Sequence, residues 1–326
     1  MISSEDYISF SGEPQRVAEL LSVGRTAEVY RLERGCVLKR FTHELAWKLC
    51  EHEAFWLVEL EDNDIAPKLI DVDDSSPTLL LSEAGDRISA DSAPADVREQ
   101  LAGHLELLRD RGCFHNDLLA RNLTVLDGRL RIVDFAMATD RPPHEADEWI
   151  TVPKVRYALD EYAIEQVALS LYGLPAGHEL HFAVMRAGDG LEGVTKWLES
   201  RFTVTGCYFC TGAFTYHAGM SLRGLICELS GLPGVAEAWP EAFYPFFVFC
   251  FTDSDPRYER VSHPLTGERV SLNVATAALY DAFGAGSSSY LWISTTRQER
   301  DHARALLHVS QRGEPLRIGS MRKTSA

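Results

Sequence analysis

Early in the chain, apolar positions alternate with polar ones, shift to a helical period, and then return to alternation. Residues 17–22 and Ala27–Leu32 predict two strands around a turn containing Gly24, and Cys36–Phe41, entered through Gly35, predicts a third. From residue 44 to 61 the apolar positions Leu45, Leu49, Ala54, Leu57 and Leu60 predict a helix. Residues 67–72 and 78–81 read as short strands around the Asp73-Asp74-Ser75-Ser76-Pro77 turn. A helix over Val97–Asp110 is ended by Gly112, and two strands, 123–126 and 130–133, flank the tight-turn dipeptide Asp127-Gly128. Arg141-Pro142-Pro143 predicts an extended loop, and 159–171 a buried helix stopped by Gly173-Leu174-Pro175.

Beyond about residue 205 the chain becomes rich in aromatics and cysteine, with strand-like runs at 203–214 and 243–251, so a boundary is expected there. Thr296-Arg297-Gln298-Glu299 has the spacing of a capping box and predicts the start of a helix. Cys207-Tyr208-Phe209-Cys210 is a C-x-x-C, but its aromatic, strand-like setting favours buried thiols. A zinc site would need further ligands from His217, Cys227 or Cys250, at no recognised spacing. His263-Pro264 and 284–289 read as turns.

The 326 residues, 45% hydrophobic and 25% charged, are enough for a large core in one or two domains. A formal net charge of −16 speaks against nucleic-acid or anionic-membrane binding, because phosphates would be repelled. The most apolar run, 242–251, is too short to span a bilayer. Residues 1–10 have no secretory pattern, and the seven cysteines lack framework spacing; together these lead to an expectation of a soluble, cytoplasmic protein.

The chemistry is concentrated in His115-Asn116-Asp117-Leu118-Leu119-Ala120-Arg121-Asn122, followed by the predicted hairpin and Asp134-Phe135-Ala136. This order, H-x-D-x-x-x-x-N, hairpin, D-F-x, resembles the catalytic loop and metal-binding segment of protein-kinase-like phosphotransferases, in a form similar to small bacterial kinase-like proteins. The resemblance implies an α+β, two-lobed protein-kinase-like fold with a C-terminal extension, using ATP and Mg²⁺. It implies that Asp117 accepts or orients the acceptor hydroxyl proton, that Asn122 and Asp134 hold the metal, and that His115 supports the loop.

Three upstream features follow in the order the family requires. Ser22-Val23-Gly24-Arg25-Thr26-Ala27-Glu28-Val29 aligns with the glycine-rich loop, although only Gly24 remains of the usual three glycines, with Ser22 and Ala27 at flanking positions. Lys39, in Val37-Leu38-Lys39, matches the phosphate-contacting lysine. Its helical carboxylate partner is expected to be Glu53, with Glu51 and Glu44 as competitors. Glu83 and Ala84 fall where the family joins its lobes, and their backbone groups would contact adenine. Asp160 matches an aspartate that braces the catalytic loop, or is a helix N-cap.

The implied catalytic domain covers 1–205 (N-lobe about 1–82, C-lobe about 86–205), and 206–326 has no assigned role. Asn116 stands where many regulated kinases have arginine, which implies no control through a phosphorylated activation loop. Ala136 replaces a glycine, and Thr151-Val152-Pro153 is the nearest thing to A-P-E. The acceptor expected is a protein or peptide hydroxyl, since Asp134-Phe135 and the compact catalytic loop resemble those of protein kinases; Leu118-Leu119-Ala120-Arg121-Asn122 lies closer to tyrosine-kinase loops than to those of many antibiotic kinases. The alternative acceptor is a small hydroxylated molecule such as an aminoglycoside, sugar or lipid head group. In that case Glu237, Glu241, Asp253 and Asp255 could serve a cationic substrate. A non-catalytic binding module is the third class; intact Lys39, Asp117, Asn122 and Asp134 speak against it.

Overall fold

A computed structural model describes residues 7–145, 156–186, 190–210, 246–283 and 291–306. The sequence features at Thr151-Val152-Pro153, His217, Cys227, Glu237, Glu241 and 284–289 lie outside the described residues. The chain divides at Val152/Pro153 into two compact units. Residue 205, near which composition shifts, lies inside a strand of the second unit that pairs with a later strand, Phe246–Asp253.

The first unit begins with β1 (Tyr7–Phe10), β2 (Glu13–Val23), β3 (Ala27–Leu32) and β4 (Cys36–Phe41). Helix α1 (Ala46–Glu59) follows, then β5 (Leu69–Asp73) and β6 (Thr78–Ser82). These strands form one antiparallel sheet in the order β1-β2-β3-β4-β6-β5. Ile8, Phe10, Leu32, Leu38 and Leu80 pack together against it, the apolar alternate positions that period-2 patterning puts on one face. After β7 (Asp86–Arg87) comes helix α2 (Val97–Asp110), and then β8 (Leu123–Leu126) and β9 (Arg129–Ile132), which pair across Asp127 and Gly128. Both turn residues have positive φ, as a two-residue hairpin turn demands. Short 3₁₀ turns at Ala120–Asn122 and Phe135–Met137 flank this hairpin.

The β5–β6 turn is built around Asp73, which is only 2% exposed. Its carboxylate accepts from Ser75 N (2.8 Å), Ser75 Oγ (2.6 Å), Ser76 Oγ (2.7 Å) and, across the sheet, Ser11 N (2.9 Å). Burial works against the charge, but these hydrogen bonds outweigh it and hold the carboxyl well below the ordinary range. Such a group contributes stability above its unfolded pKa, and the contribution is lost as pH falls through the folded value. Asp73→Asn should therefore cost about 1–3 kcal/mol near neutral pH. The gap from wild type should narrow below about pH 4, the unfolded carboxyl value. Urea unfolding at pH 7 and pH 3 checks both; an equal gap at the two values would remove the carboxylate's charge from the explanation.

In the second unit, β10 (Arg156–Ala158) and a 3₁₀ turn (Asp160–Tyr162) lead into α3 (Ala163–Tyr172), so the helix expected at 159–171 forms in two pieces. Then come β11 (Glu179–Arg186), α4 (Leu191–Glu199), β12 (Thr203–Cys210) and β13 (Phe246–Asp253). The hairpin β14 (Tyr258–Ser262) and β15 (Arg269–Asn273), α5 (Val274–Phe283), β16 (Leu291–Ile293) and α6 (Arg297–Leu306) complete it. Five of these strands make an antiparallel sheet, β10-β12-β13-β11-β16. β13 is buried along its whole length, which is why its sequence reads as a continuous apolar run. The capping box at the start of α6 forms in full: Glu299 N donates to Thr296 Oγ1 (3.0 Å) and Thr296 N to Glu299 Oε2 (2.9 Å).

The molecule is thus a mixed α+β protein, a curled N-terminal antiparallel sheet followed by helices and further sheets. No helix among the described residues is long and apolar enough to cross a membrane.

Candidate active site

Lys39 sits in the middle of β4 opposite Val29 of β3 and Leu79 of β6. It is 6% exposed, and α1 turns Glu53, 1% exposed, toward it. Lys39 Nζ donates to Glu53 Oε2 at 2.5 Å and to Asp134 Oδ1 at 2.7 Å. Burial alone would strip the charge from this lysine; the two carboxylates more than offset that and hold its pKa above the ordinary value. On Glu53, burial pushes the carboxyl up to about 7, with Lys39 pulling against it. The competing carboxylates Glu44 and Glu51 are exposed.

Asp134 adopts left-handed backbone geometry, φ 71° and ψ 64°, immediately before the 3₁₀ turn Phe135–Met137. Aspartate tolerates this region better than most residues. The turn is anchored from the catalytic-loop side, where the Phe135 ring packs edge-on against His115 at 4.8 Å between centroids. His115 Nδ1 accepts from Asp117 N (3.3 Å), which assigns the ring proton to Nε2, and Nε2 then donates to Val133 O (3.1 Å). His115 is fully buried and braces the loop on both sides.

Asp117 is buried. Asn122 Nδ2 donates to Asp117 O (2.8 Å) and Asp117 Oδ2 (2.9 Å), and Arg121 Nη2 reaches both carboxylate oxygens, at 2.7 and 2.8 Å. The Asn122 amide nitrogen is thereby committed to Asp117, which leaves Oδ1 as the atom able to ligate a cation. Val133 N donates to Asn122 O (2.9 Å), tying Asn122 to the residue before Asp134. A carboxylate and an amide oxygen are hard donors, and two such protein ligands completed by phosphate oxygens suit Mg²⁺.

The β2–β3 hairpin carries Ser22, Gly24, Ala27 and Val29. Its turn closes through Gly24 N to Ala27 O (2.8 Å), and a Cβ on Gly24 would lie 3.2 Å from the same oxygen, a tight contact. In the linker after β6, Glu83 is held by Arg31, Nε to Oε2 at 3.1 Å, and receives Gly85 N at 3.1 Å. Gly85 has φ +85°, and any side chain would run into the Val125 carbonyl. Thr124 Oγ1 donates to the Ala84 carbonyl (2.6 Å), occupying one of its lone pairs.

Lys39, Glu53 and Asp134 are therefore brought together, as are His115, Asp117 and Asn122. Two participants escaped sequence reading. Arg121 lies four residues after Asp117, a spacing that favours an acid–base pair, so that signal was present. His52, whose contact is described below, carries no sequence signal beyond being a histidine on a helix.

Other sequence candidates are placed elsewhere. Cys207 and Cys210 are buried in β12, and residues three apart on a regular strand point to opposite faces, so they cannot grip one ion. Asp253 accepts from Asn273 Nδ2 (2.8 Å) and Asp255 N (3.0 Å), and Asp255 pairs with exposed Arg257 at 2.5 Å. Asp160 opens the 3₁₀ turn before α3 in the second unit.

No family model matches the chain. It is similar to a probable serine/threonine-protein kinase, YbdM, of Bacillus subtilis (strain 168), with 41% identity over 49 residues. That stretch is 15% of this chain and 19% of the relative, so the likeness supports a kinase-like relation over a short segment only.

Proposed function

We propose that this chain is an ATP- and Mg²⁺-dependent phosphotransferase that moves the γ-phosphoryl group to a protein or peptide hydroxyl. The observation that carries this reading is Lys39, buried and charged between Glu53 and Asp134. A buried ammonium is costly unless paired, and here it is held where it can pass from Asp134 to a phosphate. Phosphoryl transfer asks the protein for positioning and charge stabilisation. Asn122 Oδ1 and the Asp134 carboxylate would hold Mg²⁺, which would supply positive charge to the phosphates. Asp117 accepts the hydroxyl proton, and Asn122 fixes its orientation. Ser22, Gly24, Ala27 and Val29 line the phosphates, while Glu83 and Ala84 present backbone to the base. The short likeness to a probable serine/threonine-protein kinase favours a protein hydroxyl over a small molecule.

The test is transfer from γ-labelled ATP, offered a cell lysate and a panel of small hydroxylated metabolites in parallel. Label is expected in protein bands. Asp117→Ala should reduce it by about 10²–10⁴-fold with ATP binding retained, the range for loss of a positioned base. Label in small molecules alone would replace the acceptor, and nucleotide binding without any label would leave a binding module.

A further inference from the structure

The left-handed conformation of Asp134 must be held by its surroundings, since such a backbone costs energy for any residue with a side chain. Asp134 precedes a single 3₁₀ turn, which ends by exposing the carbonyls of Met137 and Ala138. Each of these carbonyls is received by an uncharged side chain from another element. Asn116 Nδ2 donates to Met137 O at 3.0 Å and to Thr139 Oγ1 at 2.7 Å. His52 Nε2 lies 2.6 Å from Ala138 O. A carbonyl only accepts and an indole N–H only donates, so His52 Nε2 cannot serve both; the shorter contact, to Ala138 O, puts the proton on Nε2, and the Trp56 N–H 3.2 Å away then has no acceptor in that atom.

Both residues are themselves placed by the machinery. His52 precedes Glu53 on α1, and Glu53 also receives the Phe135 backbone amide, so α1 grips the turn at its first and last peptides. Asn116 precedes Asp117, is fully buried, and has φ 61°. Its left-handed backbone lets its side chain reach the segment while Phe114 and Thr139 exchange both backbone hydrogen bonds at 2.8 Å.

We propose that His52 and Asn116 are positioning residues that lock the Asp134 segment in its metal-binding geometry through hydrogen bonds to the Met137 and Ala138 carbonyls. The proposal rests on the phosphotransferase reading for its purpose but not for its test. It assigns the position held by Asn116 a direct mechanical role: an amide that donates two hydrogen bonds to the segment. The lock links three parts of the site: the helix bearing Glu53, the loop bearing Asp117 and the segment bearing Asp134.

The experiment uses the full chain and three variants, His52→Phe, His52→Gln and Asn116→Gly. Phenylalanine keeps a ring but donates nothing. Glutamine offers an N–H donor. Glycine removes the amide yet accepts φ 61° without strain. Two readouts are taken: hydrogen–deuterium exchange at Ala138 and Thr139, and affinity for Mn²⁺ with a non-hydrolysable ATP analogue. Loss of one hydrogen bond of ordinary strength predicts about fivefold faster exchange and about fivefold weaker Mn²⁺ binding in His52→Phe, and Asn116→Gly, which loses two, should change both by at least as much. His52→Gln should return both toward wild type.

Wild-type values in His52→Phe and Asn116→Gly, or no recovery in His52→Gln, would overturn the lock. If the unmodified chain binds no Mn²⁺–nucleotide, the phosphotransferase reading fails, and exchange alone then decides the lock. Should Asn116→Gly fail to fold, the two His52 variants still decide it.

Discussion

Asp134→Ala is expected to abolish phosphoryl transfer, lowering it by at least about 10³-fold, the scale on which losing a metal's charge stabilisation acts. The geometry separates this loss from unfolding. Removing the Asp134 carboxylate takes one partner from Lys39 but leaves the 2.5 Å contact with Glu53, so no buried charge is stranded. The remaining cost is conformational. Alanine is less tolerant than aspartate of φ 71°, which amounts to about 1 kcal/mol. Asp134→Asn removes the charge while keeping left-handed tolerance and an oxygen, and it should fold like wild type. Initial rates with γ-labelled ATP over a Mg²⁺ series, alongside thermal melts, check the pair. Wild-type activity in Asp134→Ala would sink the metal assignment, and the proposed reaction with it.

The candidate residues were readable from their order along the chain: Lys39 in a strand, Glu53 on the following helix, and the run from His115 to Asn122, in which Asn122 bonds back to Asp117 over five positions. Strand and helix periods gave most elements of the first unit because one face of each is buried. β1 was not foreseen, since four residues alternating exposed and buried carry little pattern.

Contacts that join distant elements left no local trace. His52 meets Ala138 across 86 positions, and Asp73 receives Ser11 across 62. Nothing in Glu51-His52-Glu53 distinguishes the middle residue from a solvated one. In the second unit, strands buried on both faces lose the period of two, so β11, with His181 fully buried in it, passed unread. The β14–β15 hairpin is mostly exposed and polar, and it resembles a loop by composition. By contrast, the capping box at Thr296 was legible because its two reciprocal bonds lie within four residues.

The second large effect separates what Lys39 does for the fold from what it does for catalysis. Lys39→Met preserves the length and bulk of the side chain but strands Glu53, which is 1% exposed. Breaking a buried pair by removing one partner costs about 3–5 kcal/mol, so the variant should be destabilised by about that amount at neutral pH. The direction of its pH dependence follows from the same burial. Without the Lys39 pull, burial and the Asp134 charge raise the Glu53 carboxyl, and only the Phe135 backbone amide lowers it. A carboxyl raised in the folded state binds its proton more tightly there than in the unfolded chain. Stability is then retained at acid pH and lost as pH rises through the folded pKa. The deficit of Lys39→Met should therefore be smallest near the ordinary carboxyl pKa and grow toward neutral and alkaline pH. Adding Glu53→Gln removes the stranded charge and should restore most of the stability while transfer stays absent, because no cation remains for the phosphates. Denaturant unfolding of both variants at pH 5 and pH 8, with transfer assays beside it, measures each part. A deficit that shrinks with rising pH would mean that Glu53 is not the group being stranded. Recovery of transfer in the double variant would mean that Lys39 serves the fold alone.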